Sequence, residues 1–519
     1  MFGVLRPQEK VDEHEIKQGL RALLFDGVCS QTMGVFTGGA FLVAFALLLG
    51  ASNVVIGLLA AVGPLTQILQ IPAIFLVDRT GLRKALVVIN SFLSRLFWLV
   101  VAALPWIVPA EQRVLVLLIC LFLYFGLGTI SGCAFNSWMR DLVPPEIMGS
   151  YFGKRLAVAT ATGAVLTLLA GFGIEGGKRI LADAHAPYSI LFVLGGVAGL
   201  VGVYFLSRIP EPRMARHTPQ GVFSVLAEPF REFNFRRLLM FLGSWNFAVN
   251  LAAPFFVVYM ISRLGMSLAF VLSLSVLSQI FNVVFFRIWG RLADRLSNKS
   301  VLSVSGSLFI FSILMWPFLT LPEKHVLTIP LLLAIHILAG ISTAGVTLCS
   351  GNIALKAAPQ GKATAYLAAN ALVNGIAATV APILAGLAAD WFATQELTLS
   401  LRWTAAETGK TVFDLSPLDL RGLDFLFMIA VLFGIYAMHR LLAVQEEGEV
   451  EEKVVMRQLY SEVRKAVRHI SNVAGLRQQY YFPFARLEEV AAQEPSAGEN
   501  RREAHTGQGE SDTGNENAG

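Results

Sequence analysis

Residues 78–84 read DRTGLRK, and a related segment at residues 290–299 reads GRLADRLSNK. Each segment follows a long apolar run, and each places basic residues beside an aspartate. The first aspartates of the two segments lie 216 positions apart. Pro144 and Pro359, each followed seven residues later by a tyrosine, lie 215 apart. Two independent landmarks with nearly the same offset indicate an internal duplication, so the chain is predicted to consist of two similar halves.

Long apolar runs account for most of the 519 residues. Hydrophobic residues make up 55% and charged residues 15%, with a mean hydropathy of +0.62. Soluble domains carry about 25% charged residues, and a membrane-spanning helix needs about 20 apolar ones. The composition excludes a disordered chain, a nucleic-acid reader and a secreted disulfide scaffold, and the continuous runs exclude a β-barrel. Twelve runs are predicted to span: 22–50, 53–77, 85–108, 114–137, 150–174, 187–207, 237–262, 266–290, 300–321, 326–350, 362–392 and 422–443.

Basic residues are concentrated at one side of the predicted bundle. The net charge is +5, and Arg79, Arg83, Lys84 and the basic residues of 208–236 all lie on that side. The positive-inside rule places this side, with both termini, in the cytoplasm. The polar, acidic N-terminus is not predicted to be a cleaved signal peptide. We therefore expect a multi-pass protein of the cytoplasmic (inner) membrane.

The domain organisation follows from these runs. The predicted parts are a cytoplasmic N-terminal segment 1–21, a six-helix half 22–207, a cytoplasmic linker 208–236, a second half 237–444 and a cytoplasmic tail 445–519. A long loop, 393–421, joins the last two helices. In the tail, the stretch from Glu446 to Val473 predicts an amphipathic helix that lies on anionic lipid, docks on the cytoplasmic loops or is solvated. Disorder is expected from about residue 493.

With these features the chain resembles the major facilitator superfamily over about residues 1–444. That family's signature loop reads G-x-x-x-D-R-x-G-x-R-K, and the matching residues here are Asp78, Arg79, Gly81, Arg83 and Lys84, with Ile74 in place of the leading glycine. The second copy keeps Gly290, Asp294 and Arg295. The resemblance implies an all-α membrane protein with twelve transmembrane helices in two pseudo-symmetric six-helix halves. It also implies alternating access, with these loop residues as a gating latch. The residue types alone leave open a solvated basic turn that only fixes topology.

Two subfamily motifs are missing. Run 114–137 contains no arginine, unlike the fourth helix of many proton-coupled members, and residues 157–163 lack the glycine-proline motif of drug/proton antiporters. These departures argue against a drug antiporter and leave proton coupling open.

Charged residues inside the runs are few, because each costs at least ~2.5–3.5 kcal/mol at bilayer depth. Asp26 lies about one turn into the first run. It is predicted to pair with Arg155 or Lys154, to bind a cationic group or to carry a proton. The alternative is that Asp26 is only an anion at the start of its helix, where the helix dipole favours a negative charge. For Arg155, contact with a solute and a position as a basic residue at the cytoplasmic end of the helix are equally supported. Lys154 is expected to be such a basic residue at the helix end. The resemblance implies that the third helix, which carries Arg95, lies at the periphery, so Arg95 is expected to form a structural pair or to snorkel. His336 is expected to be structural, with proton carriage as the alternative.

Neutral polar residues within the runs can hydrogen-bond a solute or hold helices together, at about 0.6 kcal/mol each. Asn370 and Asn374 share one helix face, as do Gln67 and Gln70. The resemblance implies that the first, second, fourth and fifth helices of each half line the cavity. The predicted substrate-binding residues are Arg155, Gln67, Trp245, Asn250, Gln279, Asn370 and Asn374, and the proton-coupling candidates are Asp26 and His336.

These features predict a secondary active transporter of a small solute. An organic or anionic solute is favoured, because Arg155, with Lys154 nearby, faces only Asp26 among the deep carboxylates. The alternatives are an exporter of amphipathic compounds, of the drug-efflux type, and a non-transporting membrane assembly protein with the same fold. A membrane enzyme is a further alternative, but no carboxylate pair or Ser/His/Asp set at a membrane face supports it, so no catalytic residue is assigned.

No cofactor or metal is expected. The chain lacks a G-x-x-x-x-G-K-[ST] loop, which argues against an ATP-driven pump. Its cysteines, which show no metal-binding or disulfide spacing, are Cys29, Cys120, Cys133 and Cys349. The expected partners are the solute and membrane lipid, without nucleic acid, and a monomer is expected.

Overall fold

Helices dominate the structure, because a backbone that crosses lipid must satisfy its polar groups within its own segment. The computed structural model describes residues 7–9, 11–213, 228–320, 323–357, 363–404, 411–446, 450 and 452–473. The side chains of Asp78 and Lys154 lie outside that description, as do those at several other positions in these ranges.

The first half contains eight helices, two pairs of which form broken spans. They are α1 (Glu13–Thr37), α2 (Gly39–Leu48), α3 (Asn53–Thr66), α4 (Gln70–Thr80), α5 (Arg83–Ile107), α6 (Arg113–Leu142), α7 (Pro145–Ile180) and α8 (Ala186–Ser207). The first span breaks between α1 and α2, where Gly39 has a φ of +52°, a left-handed value that favours glycine. A 3₁₀ turn, Gln67–Leu69, separates α3 from α4.

The second half has six spans without the two breaks of the first half, and it adds a hairpin and a terminal helix. Its elements are α9 (Phe233–Val258), α10 (Leu268–Arg295), α11 (Asn298–Leu314), α12 (Thr328–Lys356), α13 (Ala363–Phe392), β1 (Glu396–Thr404), β2 (Thr411–Arg421), α14 (Leu423–Leu442) and α15 (Glu452–Val473). A π-turn, Tyr259–Arg263, extends α9.

The predicted fold class is confirmed, with one difference in helix length. Eleven described helices are long and apolar enough to cross a membrane. The ninth predicted run forms the shorter helix α11, followed by a 3₁₀ turn, Trp316–Leu319.

The predicted loop 393–421 is corrected by the structure. Strands β1 and β2 pair in antiparallel register, with Glu396 opposite Arg421 and Leu399 opposite Leu418. Leu397, Leu399 and Leu401 alternate with polar residues, and an alternation of this kind, with a period of two, is typical of a β-strand. A search for long apolar runs does not detect it.

The two halves meet closely where α3 crosses α13. The Asp390 carboxylate accepts hydrogen bonds from the backbone N–H groups of Asn53 and Val54, each at 3.1 Å, and from the Asn53 amide at 2.8 Å. It thus caps the first turn of a helix in the other half. Gly57 and Gly386 allow the two backbones to touch, since a Cβ on Gly386 would lie 2.6 Å from the Asn53 carbonyl oxygen.

A second contact between the halves joins α7 to α10. The Leu268 backbone N–H donates to Glu175 Oε1 at 3.2 Å, and Leu272 packs over Gly171. Both contacts lie at the end of the bundle opposite residues 78–84, because they involve the start of α3 and the end of α7. The halves are therefore tied together at the end away from the signature loop.

The predicted tail helix is observed as α15, which begins six residues later than expected. In the larger of two compact units, Met1–Leu459, the Glu446 carboxylate accepts from the Asn298 amide at 2.8 Å and from the Lys299 N–H at 2.6 Å. Val455 is fully buried. These contacts favour the docking alternative for this part of the tail, which stays a prediction. Of the smaller unit, Tyr460–Gly519, the described part is the end of α15, and the region expected to be disordered lies outside the described residues.

Candidate functional site

A carboxylate shared by two arginines lies in a cavity of about 380 Å³ inside the first half. Asp26 lies on α1, where Arg95 of α5 approaches it to 3.8 Å (Nη2 to Oδ1) and Arg155 of α7 to 3.4 Å (Nη2 to Oδ2). The Ser30 hydroxyl donates to Oδ1 at 3.2 Å. Charges at this depth are expected to be paired, and here one anion serves two cations.

The two arginines are held differently. The Arg95 side chain is 7% exposed, and its guanidinium also donates to the Gly199 carbonyl and to the Ser30 hydroxyl. The Arg155 side chain is 24% exposed, and beyond Asp26 it has a weak bond of 3.4 Å to the Leu23 carbonyl. Arg155 is therefore the more exposed and the less fully hydrogen-bonded of the two guanidinium groups.

The predicted pair of Asp26 and Arg155 is present, but two placements were wrong. Asp26 lies 13 residues after the start of α1, so the helix-start alternative does not hold. Arg95 does form a structural pair, as one of its alternatives stated, yet it also lines the cavity rather than lying at the periphery.

Glycines on α1 and α8 make room for this cluster. A Cβ on Gly27 would lie 2.8 Å from Arg155 Nε, and one on Gly202 would lie 3.1 Å from Asp26 Oδ1. The sequence signal was a glycine beside Asp26 and the glycine stripe at positions 195, 196, 199 and 202.

Neutral polar groups complete the lining of the first cavity. The Gln70 amide donates to Gln67 Oε1 at 2.5 Å, and the hydroxyls of Ser91 and Ser131 are 2.8 Å apart. These groups, together with Ser94, can hydrogen-bond the oxygens of a solute.

A second cavity, of about 360 Å³, lies in the other half and carries an amide chain. The Asn246 amide donates to Asn374 Oδ1 at 3.0 Å, and the Asn374 amide donates to Asn370 Oδ1 at 3.0 Å. Asn370 and Asn374 share a face as predicted, and Trp245 lines the same cavity. Sequence reasoning missed Asn246, although it follows Trp245 directly.

A third cavity, of about 660 Å³, is lined by residues of both halves. Gln279 lines this cavity, so it is not grouped with Asn370 and Asn374 as expected. Asn250 donates to the Asn246 carbonyl and is not among the residues lining these three cavities.

His336 is buried away from all three cavities. Its Nδ1 lies 2.9 Å from the Leu332 carbonyl, and its ring packs against Trp316 with a centroid separation of 6.0 Å. This placement agrees with the structural role expected for it.

The geometry matches a known transporter architecture. The model of the Major Facilitator Superfamily matches residues 24–382, well over half of the chain. The chain belongs to the major facilitator superfamily. It is therefore a multi-pass membrane protein and a secondary transporter.

Solved structures of other major facilitator proteins share the fold at low identity. The nucleoside transporter NupG is 14% identical with a TM-score of 0.60, over 83% of this chain and 98% of that one. A bacterial homologue of the human lysosomal transporter Spinster, inward-facing and unoccupied, is 14% identical with a TM-score of 0.57, over 84% and 98%. A bacterial homologue of the iron transporter ferroportin, inward-facing, is 13% identical with a TM-score of 0.56, over 83% and 99%. At these identities the likeness concerns the fold alone.

One curated protein matches a short part of this chain. UDP-N-acetylenolpyruvoylglucosamine reductase of Anaeromyxobacter sp. (strain Fw109-5) is 43% identical over 75 residues, which is 14% of this chain and 24% of the reductase. The chain thus spans about a quarter of that enzyme's length, which is too little to assign its activity to this transporter.

The signature segment of this major facilitator protein is partly buried. Gly81 ends α4 with a φ of +62°, and its N–H donates to the Val77 carbonyl at 2.8 Å. Arg79 is exposed, whereas Arg83 and Lys84 are buried. A fully solvated basic turn is therefore wrong for the last two residues.

In the second copy, Asp294 and Arg295 are exposed at the end of α10. Gly290 packs near Leu348, since a Cβ on Gly290 would lie 3.7 Å from Leu348 Cδ2. The two copies therefore differ in burial, and the duplicated sequence has not kept equivalent surroundings.

Arg83 binds two carboxylates that sequence reasoning missed. Its guanidinium forms an ion pair with Asp141 at the end of α6, and Nε lies 3.4 Å from Glu211 Oε1. The Arg83 backbone N–H donates to the same Glu211 oxygen at 2.8 Å. The cluster fastens the signature segment to α6 and to the start of the linker, within one half of this major facilitator protein.

The buried carboxylate of Glu211 is expected to make the folding of this major facilitator protein sensitive to pH. Burial raises the pKa of Glu211 above its usual 4.5, despite hydrogen bonds from Lys84 and Arg83 that lower it. Among the described residues, its Oε2 has no hydrogen-bond partner. Because the folded state holds this proton more tightly, the contribution of Glu211 to stability is greatest below pH 4.5 and declines as the pH rises through the raised pKa.

We expect the free energy of unfolding to fall by up to about 1.4 kcal/mol per pH unit in that window, and Glu211→Gln to remove this slope. Unfolding in mixed micelles between pH 4 and 8 measures it. Glu9→Gln, which changes an exposed carboxylate bound to Arg213 in the neighbouring segment, is the control. An unchanged slope in Glu211→Gln would contradict the assignment.

Proposed function

We propose that this transporter carries a small organic anion, one that bears a carboxylate or a phosphate. The supporting observation is the charge balance of the first cavity, where Asp26 is the one acidic residue among the described lining and faces both Arg95 and Arg155. A net positive charge at bilayer depth requires a counter-ion or water. A solute anion supplies the missing negative charge. No enzymatic role is proposed.

Arg155 is the proposed solute contact, and Arg95 is the proposed positioning residue. Arg155 is the more exposed of the two, whereas Arg95 is engaged by backbone and hydroxyl oxygens. Asp26 holds Arg155 while the cavity is empty. When an anion takes over Arg155, Asp26 loses one of its two cations and becomes able to accept a proton, so it is the better candidate for proton coupling than His336.

The amide chain of the second cavity is proposed to contact the solute from the other half. Asn370 and Asn374 lie on one face of α13, and Asn246 joins them from α9. Amide groups both donate and accept hydrogen bonds, so they suit the neutral oxygen and nitrogen atoms of an organic solute.

Removing the guanidinium tests the anion proposal. Arg155→Gln should lower affinity for an anionic solute about 10- to 100-fold, since a charge-assisted hydrogen bond contributes about 1.5–3 kcal/mol. Binding of small carboxylates and phosphates to the protein in nanodiscs, with uncharged amides of the same size for comparison, measures the effect. Arg208→Gln is the control, because Arg208 is exposed and lies over Tyr204 outside the cavity. Normal anion binding by Arg155→Gln, or a cationic substrate, would contradict the proposal.

Alternating access is proposed to occur by movement of the halves 22–207 and 237–444, joined by the linker 208–236. The cap on α3 from Asp390 and the contact of Glu175 with Leu268 support a state closed at the end away from residues 78–84. If that end faces outward, the state is inward-facing.

The orientation is proposed from the basic loops and has its own test. We expect a cytoplasmic reporter to be active when fused after Gly221 or after Ala443, and a periplasmic reporter to be active at Thr408. The fusion points lie in the linker, at the end of α14 and between the two strands of the hairpin. Equal expression of the fusions, measured by immunoblot, is the control. The opposite pattern of activity would reverse the proposed topology of the cytoplasmic membrane protein.

Export of amphipathic compounds is the second candidate function. The third cavity favours it, because apolar side chains such as Phe41, Val257 and Leu272 line most of it. Transport of a panel of polar anions and amphipathic compounds into and out of liposomes separates the candidates. Transport of none of them would favour the non-transporting assembly protein.

A further inference from the structure

Two of the three cavities adjoin at a pair of aromatic residues. Tyr124 and Phe125, neighbours on α6, line both the arginine-containing first cavity and the larger third cavity. Their ring centroids lie 5.0 Å apart, and the Tyr124 ring also packs edge-on against Trp98 at 5.3 Å. Arg155 lies over Phe135, ten residues further along α6 than Phe125, which is about 15 Å at the rise of a helix. A solute bound at Arg155 that extends along the first cavity to these rings therefore reaches a second compartment beyond them.

The two compartments have opposite chemistry. The third cavity is lined by large apolar side chains, namely Phe41, Ile56, Leu59, Trp98, Val257 and Leu272. Three of its hydroxyl groups, those of Thr37, Thr167 and Ser275, each donate to a backbone carbonyl of their own helix. The Tyr124 hydroxyl and the Gln279 amide are the other polar side-chain groups of the lining, apart from the Trp98 indole. Within the described lining there is no charged side chain.

The volume of the third cavity exceeds what a small polar anion needs. At about 660 Å³ it lies in the range of cavities that hold drug-sized ligands. A compact carboxylate bound at Arg155 would leave this apolar surface in contact with water. Burial of an apolar group there removes that surface from water, which is favourable in proportion to the area covered.

We infer that the transported solute is an amphipathic organic anion, with its charged group at Arg155 and its apolar part beyond Tyr124 and Phe125 in the third cavity. This inference rests on the proposed function and names the substrate class of the same site. Because α1, α2 and α3 of one half and α9 and α10 of the other line the third cavity, the apolar part contacts both halves. Its binding is thereby coupled to their relative movement, whereas the charged group is held by one half alone.

A chain-length series tests the inference. The probes are linear alkyl carboxylates from four to twelve carbons, with the alcohols of the same lengths, titrated calorimetrically into the full chain in phosphatidylcholine nanodiscs. Titration into empty nanodiscs corrects for partition into lipid. Affinity for the carboxylates should rise about fourfold for each methylene that extends beyond Tyr124 and Phe125, because each buried CH₂ contributes a constant increment. At every length the carboxylate should bind about 10- to 100-fold more tightly than the alcohol.

A cavity-filling variant locates the apolar part. Ala253→Phe places a ring in the third cavity from an open position on α9, and it should abolish the gain with chain length while the four-carbon acid binds as in the wild type. Ala371→Phe is the matched control, because Ala371 is exposed on α13 and lies outside the lining of the three cavities. This control should keep the chain-length dependence.

The outcomes separate this inference from the function on which it rests. Affinity that is independent of chain length, with Arg155-dependent binding of short acids, overturns the amphipathic class and leaves the anion proposal standing. The same conclusion follows if Ala253→Phe and Ala371→Phe show the same dependence of affinity on chain length. Carboxylates that bind no better than alcohols overturn the anion proposal itself, and with it the inference.

Discussion

Replacement of Asp26 by alanine should destabilise the protein by about 3–5 kcal/mol, the cost of leaving a buried charge without its partner. Arg95 and Arg155 would then face each other across the first cavity without a carboxylate between them. Arg95 has little room to turn away, because it is buried and bonded to the Gly199 carbonyl. The free energy of unfolding, measured in mixed micelles, reports the loss.

The control for Asp26→Ala is Asp183→Ala, which removes a half-exposed aspartate bonded to His185. A second comparison is the double variant Asp26→Ala with Arg95→Met, which removes the stranded charge and keeps most of its volume. We expect the double variant to recover about half of the lost stability or more, as a coupled pair should. If Asp26→Ala proves as mild as Asp183→Ala, the arginines do not depend on this carboxylate.

Gly386→Val should prevent closure of the end of the bundle where α3 meets α13. A Cβ on Gly386 would lie 2.6 Å from the Asn53 carbonyl oxygen and 2.8 Å from Val54 Cα, and both contacts are with backbone that cannot turn aside. Overpacking of this kind costs about 1–3 kcal/mol, which shifts an equilibrium between access states about 5- to 150-fold. Transport should fall by a similar factor, because the closed state is a required step.

Labelling from outside distinguishes a blocked closure from misfolding. In a cysteine-free background, Val257→Cys places a thiol in the third cavity, where a membrane-impermeant maleimide reaches it once that end is open. We expect faster labelling with Gly386→Val than with Gly375→Val, since a Cβ on Gly375 of the same helix meets nothing within 4 Å. Equal labelling of both variants, with equal transport, would show that this contact does not control access.

The membrane helices and their duplication could be predicted because the lipid imposes a simple rule. A segment that crosses it must be helical and apolar over about 20 residues, and such runs are visible without knowledge of any contact. The rule does not define where a helix begins in water. Helix α1 starts at Glu13, nine residues before the predicted run, because polar residues and a capping box at Asp12 extend it. Because of this extension, Asp26 lies in the interior of the helix and not in its first turn, where the predicted run had placed it.

The pairing of charges was predictable in kind but not in detail. The cost of a charge in lipid implies a partner, and Asp26 with Arg155 was the natural pair. The second partner, Arg95, depends on space left by glycines of α8, which a sequence pattern does not reveal. Likewise, Glu211 reaches Arg83 only because the start of the linker folds back beside α5.

The sequence by itself determined that this chain is a membrane transporter of two halves, with helical spans and few buried charges. Only the tertiary structure decided that Gln279 lines a different cavity from Asn370, that Asn246 joins the amide chain, and that the third cavity adjoins the first through Tyr124. The physical reason is that hydrophobicity sets which segments enter lipid, whereas the rotation and tilt of each helix are set by packing against its neighbours. The position of a side chain in a cavity depends on that rotation.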